Sequence, residues 1–185
     1  MSKRFVKWTC QEFGEALRAF PFISSTVITG VHMHHTYRPN HAQWKGASTV
    51  EAMWRHHTIV NNWSDIAQHI TIDPSGAIWS GRGWEKAPAS ASGCNGTSKR
   101  HPFMFEMVGD FDTGRDRFDG LQKAAAIEVI AQVQLLFKLP LESLRFHNQM
   151  SDKTCPGTSI VYHDVLSAVK ATRAGFELGS RYITP

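Results

Sequence analysis

The sequence predicts an α/β fold: a single domain in which a central mixed β-sheet is flanked by α-helices. Three observations lead there. Alternating apolar runs of strand type are interspersed with segments of helical period along the chain. Two of the strand-like runs flank Asp73-Pro74-Ser75-Gly76, a composition that favours a tight turn between paired strands. The chain has 185 residues, 42% of them hydrophobic and 19% charged, which suits one compact core and leaves no room for a second catalytic domain.

The elements follow in order. The opening "MSKRFVKWTCQEFGEALRAF" is basic at its start, but Gln, Glu and Arg interrupt it where an export signal is apolar. The expectation is a protein made in the cytoplasm without a recognisable export signal. Residues 1–25 are expected as an N-terminal extension, 26–174 as the main domain and 175–185 as a tail. "TVITGVHMHH", from Thr26, is rich in β-branched residues and reads as a strand ending in a histidine cluster. "STVEAMWRHHTIVNNW" reads as a helix opened by a capping box, with Ser48 or Thr49 ahead of Glu51. "AQHITIDPSGAIWSGR" predicts a β-hairpin. "PFMFEMVGDF" predicts a buried strand with one acid, Glu106, near its middle. "GLQKAAAIEVIAQVQLLFKLP" predicts a long amphipathic helix stopped by Pro140, and "SIVYHDVLSAVKATRA" a last helix.

Charge and cysteine content narrow the function. A net charge of +4 and a pI near 9.1 suit an anionic partner. The basic residues are scattered, however, with no Lys/Arg block and no recognition-helix pattern, so nucleic acid is not expected as a partner. No apolar run is long enough to span a bilayer, so membrane insertion is not expected. Cys10, Cys94 and Cys155 are odd in number and show no disulfide-framework spacing. At least one of them is left for another purpose.

"RFHNQMSDKTCPG" sets His147 eight positions before Cys155, with Lys153 between them. Imidazole and thiolate are both zinc ligands, and a catalytic zinc takes three protein ligands and keeps a fourth position open. The "HMHHT" strand end is the evident source of a third. Alternation puts His32 and His34 on one face and His35 on the other, and does not choose between them. A cysteine hydrolase with Cys155 activated by His147 is the competing chemistry. The following Pro156 and the unexplained strand-end histidines argue against it.

A strand ending in His-His-Thr, a "W-S-D-I-x-x-H" segment entering "D-x-x-G-x-I-W-x-G-R", and a late "H-x7-C-P-G" loop together resemble the zinc-dependent N-acetylmuramoyl-L-alanine amidases. That family includes phage amidases, bacterial muropeptide amidases and the peptidoglycan recognition proteins. The resemblance runs from about Ile28 to Ile160. It implies one catalytic Zn2+ held by His34, His147 and Cys155, hydrolysis of the amide between N-acetylmuramic acid and L-alanine, and a peptidoglycan or muropeptide substrate. Lys153, two residues before the third ligand, is implied as the oxyanion stabiliser.

The general base departs from one branch of the family. Where phage enzymes read Gly-Tyr-His, this chain reads Ala67-Gln68-His69, and glutamine cannot accept a proton to any useful extent. Muropeptide amidases use a glutamate on the following strand instead, in a stretch like Phe105-Glu106-Met107-Val108-Gly109. An unpaired carboxylate is costly to bury, so Glu106 is expected to act as the base. Gln68, His69, Arg82 and Asn95 are expected beside the substrate, with Ser90 standing where relatives carry a substrate-contacting histidine. A non-catalytic peptidoglycan receptor on the same fold is the alternative reading. A monomer is expected, acting on cell wall after release or delivery, while a recycling role in the cytoplasm, intact wall against soluble muropeptide, and any delivery or immunity partner stay open.

Overall fold

The computed structural model describes residues 3–22 and 25–181. Six strands form one sheet: β1 (Lys7–Trp8), β2 (Val27–His35), β3 (Ile70–Ile72), β4 (Ile78–Ser80), β5 (Arg100–Met107) and β6 (Leu144–Phe146), in the spatial order β1-β4-β3-β5-β2-β6. The β3–β4 hairpin and the β1–β4 pair are antiparallel, whereas β3, β5, β2 and β6 run parallel. The sheet is therefore mixed, and four helices flank it: α1 (Cys10–Ala19), α2 (Ala47–Arg55), α3 (Gly120–Leu136) and α4 (Tyr162–Arg181).

The two faces of the sheet are covered unequally. On one face, Val31 and Met33 of β2 and Phe103, Phe105 and Met107 of β5 point into the main core. Phe13 and Leu17 of α1, the apolar residues of α3, and Val165 and Val169 of α4 close it. The other face carries His32, His34, Met104 and Glu106 by strand alternation. Its apolar cover is a small cluster of Val50, Ile66 and Trp79. Polar side chains are thus concentrated on the sparsely covered face, which is where a site can form.

The N-terminal segment is built into this core. Thr9 caps α1 by accepting from the Glu12 N–H, while the Glu12 carboxylate accepts from the Thr9 N–H. Residues 182–185 of the expected tail lie outside the described residues, and α4 runs past position 174 to Arg181. Among the described residues no helix is long and apolar enough to cross a membrane.

Two expectations need correction. The helix at Ala47 opens on Gly46, at φ +69°, without a side-chain cap, so Ser48 and Thr49 lie in its first turn. The Thr49 hydroxyl accepts from the Lys45 N–H instead. Helix α3 is buried on most of its circumference, from Ala125 through Ala131, because it lies between the sheet and both α1 and α4; it is a central helix and not an amphipathic one. "LESLRFH" contains strand β6, too short at Leu144–Phe146 to show a period.

Candidate active site

The sheet register assembles the site. Pairing of β2 with β5 sets His34 beside Glu106, and pairing of β3 with β5 sets Thr71 on the other side of Glu106. Strand β6 pairs Phe146 with Met33, so the next residue, His147, arrives beside His34 with ring centroids 4.3 Å apart. Packing separates the strand-end histidines by face. His35 turns to the opposite face, where its Nδ1 accepts from the Phe111 N–H, leaving His34 toward Glu106 and His147.

A folded-back loop closes the eight-residue gap to Cys155. The Asn148 N–H donates to the Cys155 carbonyl at 2.6 Å, and the His35 N–H donates to Cys155 Sγ at 3.2 Å. Asp112 ties the same loop down, accepting from Thr154 Oγ1 and from the Thr158 N–H, each at 3.0 Å. Gly157 explains the Cys-Pro-Gly ending. It sits at φ +126°, and a Cβ there would run into the Phe111 backbone.

The result is a cluster in which one ligand atom each from His34, His147 and Cys155 lies within 4.8 Å of the others. Among the described residues it is the only group of its kind. Its chemistry suits a zinc ion. His34 Nε2 is buried with no hydrogen-bond partner among the described residues, an orphan that a metal would satisfy. Burial, and then the charge of Lys153, lowers the His147 imidazole, while burial first holds His34 well below its ordinary value. Both rings are thereby kept neutral, as ligation requires.

Burial pushes the Cys155 thiol up to about 12, and nearby Glu106 adds to the rise against the lowering effect of the His35 N–H. A thiol so held is a poor nucleophile by itself, which counts against a cysteine hydrolase. A bound dication would reverse the effect.

These side chains open into a cleft of about 650 Å³ that also holds Glu106, Lys153, Ser90 and the exposed Trp63. A neighbouring hollow of about 650 Å³ shares Thr36, His57 and Glu106 with it and runs between α2 and the 36–45 loop. Glu106 is the half-buried floor residue of the cleft; burial raises its carboxyl to about 8, and among the described residues it has no hydrogen-bond or ion-pair partner. Lys153 stands exposed at the rim.

The residues expected beside the substrate have other employment. Gln68 is buried and donates to Thr71 Oγ1 at 2.9 Å. His69 is a core histidine: its Nδ1 accepts from the Met104 N–H, so Nε2 carries the proton and donates to the Lys86 carbonyl at 2.7 Å. Arg82 donates to the carbonyls of Ile66, Ala87 and Asp65, and Asn95 Oδ1 accepts from the N–H groups of Ser90 and Ala91. None of the four is among the residues lining the cleft.

Two wall residues were given no role in the sequence. His57 stacks on Trp63 at 4.9 Å and 23°, and accepts from the Ala67 N–H. Trp63 lies in the "W-S-D-I" stretch that carries the resemblance, yet only the folded loop brings it to the cleft. Asp112 had no sequence signal at all.

A family model described as N-acetylmuramoyl-L-alanine amidase matches residues 24–158. N-acetylmuramoyl-L-alanine amidase CwlA of a Bacillus species is 26% identical over 134 residues, which make up 69% of this chain and 46% of that protein. The chain thus spans about half the length of that curated relative. Among solved structures, N-acetylmuramoyl-L-alanine amidase LysC from Clostridium intestinale is similar at TM-score 0.64 and 19% identity, over 82% of this chain and 91% of that one. A Drosophila PGRP-LB mutant in complex with tracheal cytotoxin is similar at TM-score 0.62 and 25% identity, over 75% of this chain and 79% of that one.

Proposed function

Because the chain belongs to the N-acetylmuramoyl-L-alanine amidase family, we propose that it is a zinc enzyme cleaving the amide between N-acetylmuramic acid and the first L-alanine of a peptidoglycan stem peptide. One observation carries the reading: a compact His34, His147 and Cys155 donor set shares a cleft with Glu106 and Lys153, whose side chains have no hydrogen-bond or ion-pair partner among the described residues. A zinc ion bound by those three residues supplies a Lewis acid and lowers the pKa of the attacking water.

The chain's own groups complete the chemistry. Glu106 stands next to His34 in the sheet register, within the site's reach, and takes the proton from the attacking water. Its raised affinity for a proton follows from burial, and a dication alongside opposes that rise, bringing the carboxylate toward a working range. Lys153 places an ammonium at the rim, toward the oxyanion that develops on the substrate carbonyl. Glu106 then returns its proton to the departing amine of L-alanine, and the proton balance closes. A peptidoglycan-type ligand is supported by the similar fold that holds tracheal cytotoxin.

The test is digestion of purified peptidoglycan by the zinc-loaded protein and by Cys155→Ser. The expected outcome is release of peptides beginning with L-alanine by the wild type, seen by mass spectrometry, and at least a ~100-fold loss in the variant, in which one of the three ligands is disabled. Tight binding of the polymer with no released peptide favours a receptor and contradicts the amidase.

A further inference from the structure

Two residues before His34 the same face of β2 carries His32, and the register sets Arg145 of β6 beside it. Arg100 stands on that face of β5 at the same end of the sheet. Together with Cys94, Thr97 and Glu142 these residues line a pocket of about 560 Å³ that shares no lining residue with the cleft. The two sites are neighbours, since the His32 and His34 rings are 6.5 Å apart.

The pocket has a built interior. His32 is 6% exposed, and its Nδ1 is buried with no hydrogen-bond partner among the described residues. That buried ring nitrogen is placed to make a hydrogen bond to a group entering the pocket. Neither Arg145 nor Arg100 makes a side-chain hydrogen bond or ion pair among the described residues. Glu142 is the one carboxylate in the lining, so the pocket is net positive.

A guanidinium fork matches a carboxylate in a planar, bidentate geometry. An extended peptide advances ~3.3–3.6 Å per residue, so the 6.5 Å from His34 to His32 corresponds to about two residues of bound peptide. We propose that this pocket is a subsite for the peptide arm of the substrate, receiving a carboxylate about two residues beyond the scissile amide on Arg145, Arg100 and His32. The proposal rests on the amidase reading for its direction, because it places the scissile bond over His34 and Glu106.

The experiment uses the zinc-loaded full chain and two synthetic muramoyl dipeptides, one with a free carboxylate on its second residue and one with the carboxamide. The wild type is expected to prefer the carboxylate by about tenfold or more in kcat/KM, the scale of one charge-assisted contact. In Arg145→Gln that preference falls toward one, and Arg100→Gln lowers it in the same direction. An equal preference in wild type and Arg145→Gln, or none in the wild type, overturns the subsite.

If the wild type cleaves neither compound, the amidase reading fails and binding decides the pocket separately. The free dipeptide acid should then shift the NMR signals of the His32 ring, and the shift should vanish with Arg145→Gln. No shift in the wild type, or the same shift in both proteins, overturns it.

Discussion

Glu106, half-buried, and His69, fully buried, are both titratable groups on strands or strand ends of one sheet, yet only one faces the cleft. The sequence marks Glu106 by contrast, as a lone acid in an apolar strand, and the register confirms that it stands beside His34. His69 and Arg82 share motifs with the site but donate to backbone carbonyls of the surrounding loops, and the Gln68 amide nitrogen donates to Thr71 of β3. Motif adjacency does not reveal side-chain direction, and none of these three lines the cleft. His69 also makes a pH prediction. Its imidazole is held at about 3 by burial against an ordinary 6.5, so the unfolded chain takes up a proton that the folded one refuses. Stability from this group is complete above pH 6.5 and is lost as pH falls from 6.5 toward 3, a window in which stability rises with pH. Denaturant titrations between pH 4 and 6.5 should show His69→Asn flattening the slope by about one proton; an unchanged slope means that His69 is not held neutral in the fold.

At the level of elements, β2, the hairpin, β5 and α4 were legible because period, turn residues and β-branched content agreed. Strand β6 was not, since three residues cannot display an alternation, and its parallel pairing with β2 is a contact across more than 100 positions. The same blindness hid Asp112, whose partners Thr154 and Thr158 lie over 40 residues away. Asp112 holds the loop that presents Cys155, so it acts on the site by positioning. Asp112→Ala should weaken zinc affinity about tenfold or more, the usual scale for a group that orients a ligand. Competition with a chromogenic chelator would measure this, and affinity equal to the wild type would show that the loop holds its shape unaided.

For the whole molecule, the unequal covering of the sheet explains how stability and function are divided. Helices α1, α3 and α4 seal one face into the main core, and that arrangement leaves the opposite face free to carry imidazoles, a thiol and a carboxylate at the cost of burying few apolar groups there. The fold class was readable from composition and the alternation of elements. The packing of β1 on the sheet edge and of Phe13 and Leu17 of α1 in the core was not, because β1 and α1 meet partners far along the chain. The most direct test of the account compares zinc-loaded wild type with Glu106→Gln, which keeps size and loses the base. Zinc content by mass spectrometry and the rate of L-alanine-terminated peptide release from peptidoglycan are measured on the same samples. The account predicts full zinc occupancy in both and a loss of at least ~100-fold in rate for the variant, the scale of a general acid–base group. A variant that retains both zinc and its rate would contradict Glu106 as the base, and with it the claim that the sheet register builds the catalytic site.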